Sequence, residues 1–341
     1  MRYQFDDSQV CRPVYRDLRT ARRLRLVTVA GRWVCLISLL LAMEMRTAAG
    51  QPAAVHPAES ELPAPIANAS ALLDRGHVDE ATALLALIGT ETLAQQAETL
   101  DKWPRAEIAK CQYFLGAYTD CLDNTGPVPM NAPRHTPFGI SYYGALTASR
   151  LQLWPLVVTF TRGDPEILAQ DLAAVGDKVE KGRVRQLGLC LAVALARMDR
   201  FDEARGRIEK LVGSANMQDE AAALRACLTQ LTERQRALRA GETKPFNASA
   251  FWLKALDSPS WWVQTQAMRN VARLPDPTVY DKLAARLRHP QWEVRDTAID
   301  ALSARGDRRA IQILRPLLQD PNANVRDSAK LALKELGKAL D

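Results

Sequence analysis

Five side chains around a proline-rich segment could contact a ligand. The segment, residues 126–139, contains four prolines and therefore predicts a long irregular loop. The five side chains are cationic or aromatic, and they are Arg134, His135, Phe138, Tyr142 and Tyr143. Long loops in compact helical arrays are often functional. A ligand-contact surface is therefore one interpretation of this group, and a tolerated insertion is the other.

Four tryptophans, Trp252, Trp261, Trp262 and Trp292, crowd the last third of the chain. Trp261 and Trp292 lie 31 residues apart, which is the period of the repeat described below, so we expect both to pack between repeats. Trp262 has no aromatic counterpart in that period. It is predicted to be an exposed anchor for a protein or peptide, or part of a platform for a glycan or another small ligand.

Charged side chains also recur in this third. Arg295-Asp296 and Arg326-Asp327 are spaced by the same 31 residues. A ladder of ion pairs between stacked helices is the predicted role of these pairs, and a charged ligand surface is the alternative.

A second basic group contains Arg308, Arg309 and Arg315, and two of its members, Arg308 and Arg315, are candidate binding residues. Asp281 and Asp307 lie nearby in the sequence. This group is therefore interpreted either as a charged ligand surface or as a solvated helix face.

No arrangement of residues typical of catalysis is present. The sequence lacks a nucleophile elbow, a phosphate-binding loop and a GxGxxG motif. The six cysteines form no C-x-x-C pair and the four histidines are scattered, so the sequence predicts no metal site, no cofactor and no enzymatic activity. Cys111 and Cys121 lie five residues either side of Gly116. A helix pair that turns there could bring them into a disulfide, and burial as small core residues is the alternative.

The elements that must position these residues are helical. The 341-residue chain is 47% hydrophobic and 25% charged but only 6% aromatic, which favours helices over a β-sandwich or barrel. Its net charge is +6, of which +5 belongs to residues 1–50. The remaining residues carry only +1, so the sequence predicts no general attraction for nucleic acid.

Residues 1–50 resemble an export signal. An arginine-rich stretch precedes the apolar run Trp33–Met43, which is too short to cross a bilayer but fits the apolar region of a signal peptide. Ala48 and Gly50 are placed for cleavage before Gln51. The sequence thus predicts a periplasmic or secreted protein. A retained membrane anchor at residues 27–45 and a cytosolic chain are the alternatives, and contact with a membrane is expected only if the leader is retained.

Residues 257–341 contain a repeat of 31 residues. Each copy has a proline, then a valine, an alanine and a further apolar residue at successive intervals of four, which predicts one apolar stripe on a helix. The prolines are Pro259, Pro290 and Pro321, the valines Val263, Val294 and Val325, the alanines Ala267, Ala298 and Ala329, and the last residues Val271, Leu302 and Leu333. Gly306 and Gly337 are expected to end these helices.

At these residues the chain resembles HEAT repeats, especially the short bacterial kind that is also found in phycobilin lyases. The resemblance covers residues 248–341 and implies stacked helical hairpins. It also implies, as a less favoured function, a lyase that attaches or isomerises bilins. The first copy departs from the pattern, with Gln264 and Thr265 where later copies have arginine and aspartate.

Three units before this repeat share a turn residue, an apolar residue two positions later and a small residue three positions beyond that. Their sequences are Gly76–Ala81, Gly116–Cys121 and Asp199–Ala204. They resemble tetratricopeptide repeats, although their spacings do not hold a constant period. Tyr142–Leu146 resembles the first helix of a further unit. A long helix at Gln218–Arg239 is expected to close this region, and Gly241–Phe246 is expected to join it to the HEAT-like repeats.

These features predict an all-α, right-handed solenoid. Its expected parts are a signal peptide at 1–50, a Pro/Ala-rich linker at 51–66, a tetratricopeptide-like region at 67–241 and HEAT-like repeats at 248–341. The chain has two and a half repeats of this kind, fewer than the roughly three that a buried core needs, so we expect the HEAT-like array to pack on the preceding helices in one continuous curved body. The predicted function is a non-catalytic scaffold of the cell envelope that binds a protein or peptide.

Overall fold

The fold is all-α in the computed structural model, which describes residues 62–99, 102–126, 138–173, 181–215 and 218–338. Seventeen α-helices and one 3-10 helix lie in these residues, and no strand does. The helices are α1 (Ala64–Asp74), α2 (Val78–Ile88), α3 (Thr90–Thr99), α4 (Lys102–Leu115), α5 (Tyr118–Thr125), α6 (Phe138–Arg150), α7 (Trp154–Phe160), α8 (Pro165–Ala173), α9 (Lys181–Arg197), α10 (Phe201–Gly213), α11 (Gln218–Arg239), α12 (Ala248–Ala255), α13 (Trp261–Val271), α14 (Thr278–Arg286), α15 (Trp292–Arg305), α16 (Ala310–Leu314), the 3-10 helix (Arg315–Gln319) and α17 (Ala323–Lys338). No helix among the described residues is both long and apolar enough to span a bilayer.

The three tetratricopeptide-like turns form where the sequence places them. Gly76, Gly116 and Asp199 adopt positive φ angles of 80°, 83° and 59°. Such angles favour glycine and are tolerated by aspartate, which explains the residue types at these turns. The small residues of the three units, Ala81, Cys121 and Ala204, are all fully buried. The first helices of successive hairpins contact each other in the order α1, α4, α6 and α9.

A fourth hairpin of the same kind joins α6 to α7. Its turn residue, Gln152, has a φ of 57°. Trp154 follows two residues later and Val157 five residues later, and both are buried. The first helix of this unit was expected from Tyr142–Leu146. Its turn escapes sequence analysis because glutamine is not a typical residue for a positive φ angle.

The HEAT-like stripe is confirmed. The three valines and three alanines of the repeat are fully buried, as are Val271 and Leu302. The helices that carry the stripe, α13, α15 and α17, contact one another in that order. Gly306 ends α15 in a left-handed conformation, as expected, but Gly337 lies inside α17 and does not end it.

One polar contact recurs in all three copies. Gln264, Arg295 and Arg326 each donate a hydrogen bond to the carbonyl oxygen six residues earlier, at 2.8 Å in each case. The two arginines also donate to the carbonyl of the following proline, Pro290 or Pro321, at 2.9 Å and 3.1 Å. The side chain at this position therefore fastens the turn that precedes its own helix.

Of the predicted ladder of ion pairs, one pair links two repeats. Arg295 forms it with Asp320 of the next repeat and not with its own neighbour Asp296. The guanidinium of Arg295 donates from Nε and Nη2 to the two carboxylate oxygens of Asp320, at 2.8 Å and 2.7 Å. The side chains are only 11% and 5% exposed. Asp296 instead accepts a hydrogen bond from Ser328 at 2.6 Å. A bidentate, largely buried ion pair therefore holds the last two described repeats in register.

We expect the Arg295→Ala substitution to lower the free energy of unfolding by about 3 kcal/mol, because it leaves the buried carboxylate of Asp320 without its cation. Arg326→Ala is the matched control, since Arg326 makes the same carbonyl contacts but no ion pair among the described residues; it should cost about 1 kcal/mol or less. Urea unfolding followed by circular dichroism measures both. Equal losses would contradict the assigned role of the ion pair.

Candidate functional site

The aromatic residues predicted to contact a ligand are part of the core. Phe138, Tyr142 and Tyr143 are only 3%, 7% and 5% exposed, so these three side chains lie in the core and not on an accessible surface. The hydroxyl of Tyr142 donates to Gln186, and the guanidinium of Arg183 lies 5.5 Å from its ring centroid. Burial raises the pKa of Tyr142 above its usual value. The apolar body of this side chain thus packs inside while its hydroxyl finds a partner on α9.

Arg134 and His135, the other two members of that predicted group, lie outside the described residues. Phe138 and Tyr142 stack with ring centroids 6.0 Å apart, and Tyr142 meets Tyr143 edge to face at 5.0 Å. This aromatic cluster fills the space between α4, α6 and α9. The sequence pattern that suggested a binding surface is therefore a packing pattern.

Trp262 is buried and is not the exposed anchor predicted from the sequence. It is 6% exposed, and its ring centroid lies 5.4 Å from that of Phe160 at the end of α7. The indole also covers Gly126 so closely that a Cβ atom added there would come within 2.0 Å of the ring. Trp261 and Trp292, expected to pack between repeats, are partly buried against the same core. Trp262 thus joins the HEAT-like repeats to the tetratricopeptide-like helices.

The position of Trp262 in the repeat explains the error. The equivalent residues 31 and 62 positions later are Glu293 and Asn324, and Asn324 is exposed. The first repeat has no HEAT-like neighbour on that side, and α5 and α7 occupy the space instead. An apolar residue at a position that later repeats keep polar is therefore a signal of contact within the chain.

A carboxylate on α5 also contacts the amino end of α13, beside Trp262. Asp123 accepts a hydrogen bond from the Ser260 hydroxyl at 2.5 Å and one from the backbone N–H of Trp262 at 3.1 Å. Ser260 in turn accepts from the N–H of Val263, so it caps α13. The amino end of a helix carries unpaired N–H groups and partial positive charge, which the carboxylate complements. We call Asp123, Gly126, Phe160, Ser260 and Trp262 the joint.

Burial raises the pKa of Asp123 to about 6, while its hydrogen bonds with Ser260 and the amino end of α13 oppose the rise. Asp120, one turn earlier on α5, adds a small further increase in the pKa. The joint therefore contains a group that titrates close to neutral pH.

The predicted disulfide between Cys111 and Cys121 is absent: both are buried free cysteines. Cys111 packs in the core formed by α1 to α4, and Cys121 packs in the larger core of the remaining helices. The thiol of Cys121 instead accepts a hydrogen bond from Thr147 at 3.2 Å. Burial raises the pKa of both thiols to about 12, which disfavours the reactive thiolate. Both cysteines are therefore buried core residues, as the alternative interpretation predicted.

The two candidate arginines of the second HEAT-like hairpin are exposed, Arg308 just before α16 and Arg315 on the 3-10 helix. Their neighbour Arg309 pairs with Asp307 at 2.6 Å, and its guanidinium lies 4.2 Å from the ring centroid of Tyr280. Arg309 thus serves the packing of α16 on α14.

Sequence analysis missed the exposed apolar side chains. Leu87 is 85% exposed, and Ala83 and Ala86 on the same side of α2 are also exposed. We call these three residues the α2 face. Two further apolar side chains, Ile167 on α8 and Leu331 on α17, are 55% and 58% exposed. A single exposed leucine inside an amphipathic helix leaves no clear mark in the sequence, whereas its exposure is evident from the packing.

The described residues also include no cluster of three or more His, Cys, Asp or Glu side chains that could hold a metal ion.

The cations around a cleft between α8, α9 and α10 are paired. Arg185 contacts Glu220, Arg207 contacts Asp164 at 2.7 Å, and Lys210 contacts Glu166 at 2.5 Å. The charges of this cleft therefore stabilise the helices that line it.

Residues 249–334 match the HEAT repeats family, so the chain is a helical repeat protein. No curated protein matches the sequence. Among solved structures, human deoxyhypusine hydroxylase is 14% identical over 89% of this chain and 98% of its own, with a TM-score of 0.29. A designed armadillo repeat protein is 16% identical over 76% and 94%, with a TM-score of 0.25. An engineered protein is 15% identical over 81% and 98%, also at 0.25. Similarity this low transfers no function to the present chain.

We expect Gly126→Ala to destabilise the protein by about 2 kcal/mol, because the new methyl group would overlap the Trp262 ring. Gly206→Ala on α10 is the control, since no atom lies within 4 Å of the added Cβ there; it should be neutral or slightly stabilising. Thermal unfolding measures both variants. A neutral Gly126→Ala would mean that Trp262 does not pack on this glycine.

The raised pKa of Asp123 has a consequence for stability. A carboxyl whose folded-state pKa lies above its unfolded value of 3.8 contributes stability at low pH, and this contribution is lost as the pH rises through about 6. Asp123→Asn keeps the acceptor oxygen but cannot ionise. Its free energy of unfolding should therefore rise relative to that of the wild type between pH 4.5 and 7.5, by about 2 kcal/mol.

Denaturant unfolding at several pH values measures this difference. The exposed Asp202→Asn on α10 is the control, and its curve should run parallel to that of the wild type. A parallel curve for Asp123→Asn as well would refute the role of Asp123 as the titrating group of the joint.

Proposed function

We propose that this HEAT-repeat protein is a non-catalytic scaffold of the cell envelope, which binds a protein or peptide on its solenoid surface. Stacked helical repeats present extended side-chain surfaces, and such surfaces commonly bind other proteins. The aromatic and tryptophan groups that suggested a ligand site serve the core and the joint instead. Among the described residues, the exposed outer surface of the helices is what remains for function.

The α2 face is the observation that supports a protein partner most directly. Leu87 places a whole leucine side chain in water, flanked by Ala83 and Ala86, which let another backbone approach closely. The exposed α2 face carries no charge at these three positions. An apolar side chain with small neighbours suits a helix or an extended peptide laid across α2.

Burial of Trp262 counts against the alternative of a glycan or small-ligand binder. That alternative depended on an accessible indole, and the Trp262 ring is enclosed by Gly126 and Phe160. The same burial favours the scaffold, because it fastens the two arrays to each other through side chains of both.

Export is the second part of the proposal, and it depends on the leader at residues 1–50, which lies outside the described residues. We expect the chain expressed in its native host to be recovered from the envelope or the medium with Gln51 at its amino terminus. Fractionation followed by amino-terminal sequencing tests this. Recovery of the chain with its leader in the membrane fraction would favour the retained anchor at 27–45, and recovery in the cytosol would refute export.

Binding is tested by affinity capture with the tagged chain under its own promoter. We expect a stoichiometric partner whose recovery falls about tenfold or more in Leu87→Glu, because a buried charge would replace an apolar contact. Leu151→Glu is the matched control, since Leu151 is also an exposed leucine but lies at the end of α6. Circular dichroism should show both variants folded. Capture of the bait alone, at normal abundance, would refute the scaffold.

A further inference from the structure

The last HEAT-like helix of the described residues, α17, carries a guanidinium that is held in place by hydrogen bonds. Arg326 donates from Nη1 to the carbonyl oxygens of Asp320 and Pro321, at 2.8 Å and 3.1 Å. Arg295 makes the same two contacts one repeat earlier, at 2.8 Å and 2.9 Å. The two arginines therefore have the same anchorage in the repeat.

The two arginines differ on their other edge. The Nε and Nη2 atoms of Arg295 hold the carboxylate of Asp320, which the next repeat supplies. Arg326 has no next repeat among the described residues, and no carboxylate there forms an ion pair with it. Its nearest acid along the chain, Asp327, bonds to Lys330 at 2.9 Å instead. Arg326 thus shares the Nη1 anchorage of Arg295, while no ion pair with a described carboxylate engages the rest of its guanidinium.

The surface around Arg326 is unlike the surface where internal repeats stack. Met268 and Ile299 occupy equivalent positions on α13 and α15, and both are fully buried. The next equivalent residue on α17 is Lys330, whose side chain is 64% exposed. Lys334 and Leu331 are exposed on the same side of α17. We call Arg326, Lys330, Leu331 and Lys334 the end face.

We propose that the end face docks an acidic segment of a protein partner, whose carboxylate binds Arg326 as Asp320 binds Arg295 and whose apolar side chain covers Leu331. The proposal rests on the scaffold function and names a docking surface and its partner chemistry. Lys330 is paired with Asp327, but Arg326 and Lys334 form no ion pair among the described residues, and these two cations favour an acidic partner. They oppose a second copy of this chain, because two end faces would bring the same cations together.

The joint also prevents a second copy of this chain from stacking on the end face. A second copy could continue the stack only by presenting the opposite end of its array, and Trp262 and Ser260 at that end pack on α5. The carboxylate in this proposal therefore belongs to a different protein and not to a second copy of this chain. A turn followed by a helix fits best, because Asp320 itself precedes α17 and also accepts from the N–H of Asn322 at 2.9 Å.

The test uses the full chain in its native host with a photoreactive benzophenone amino acid in place of Leu331. We expect a cross-link to a partner segment that contains Asp or Glu, identified by mass spectrometry. The yield should fall about tenfold in Arg326→Gln, and less in Arg326→Lys, which keeps the charge but loses the fork. Added salt should weaken the cross-link. Arg288→Gln, an exposed arginine in the turn before α15, is the control and should leave the yield unchanged.

A charge exchange makes the test specific. Arg326→Glu should abolish the cross-link, and an arginine in place of the mapped acid of the partner should restore it. An equal yield in Arg326→Gln, a cross-linked segment without acids, or a cross-link to a second copy of this chain would each overturn the proposal. The absence of any cross-link at 331, while Leu87-dependent capture succeeds, would overturn the end face alone. Failure of both would overturn the scaffold as well.

Discussion

The packing of the Trp262 indole on Gly126 is the contact on which the arrangement of the two helical arrays depends. A ring can lie there only because position 126 has no side chain, and the same ring meets Phe160 on its other side. Asp123 then fixes the direction of α13 by accepting hydrogen bonds at its amino end. A short stack of HEAT-like repeats, which would bury little apolar surface alone, thereby gains the core of the preceding helices.

The repeat frame could be predicted because each copy must bury the same stripe. Val294 and Ala298 lie where the spacing places them, and α11 spans Gln218–Arg239 as expected. The predicted packing of the HEAT-like array on earlier helices is confirmed as a contact of α13 with α5. The helical region begins a few residues earlier than expected, at Ala64, within the predicted linker.

The candidate site could not be predicted, because burial of a side chain depends on what lies opposite it. Trp262 and Tyr142 are of residue types that often bind ligands. They are buried only because α5 and α7 pack over Trp262 and α9 packs over Tyr142. The turn at Gln152 was missed for a related reason, since its φ angle is imposed by the hairpin and not by the residue type. Leu87 was missed because helical periodicity alone does not tell a half-buried leucine from an exposed one.

The hydrogen bond between Ser260 and Asp123 joins residues 137 positions apart in the chain. Solenoids otherwise fold through contacts between neighbouring repeats, so their segments can form and come apart nearly independently. A contact of such long range closes a loop, and it forms only after both arrays have been synthesised and at least partly folded. The joint therefore makes the protein cooperative: local fraying of the HEAT-like helices is opposed by the tetratricopeptide-like core, and loss of either array during synthesis or proteolysis removes support from the other.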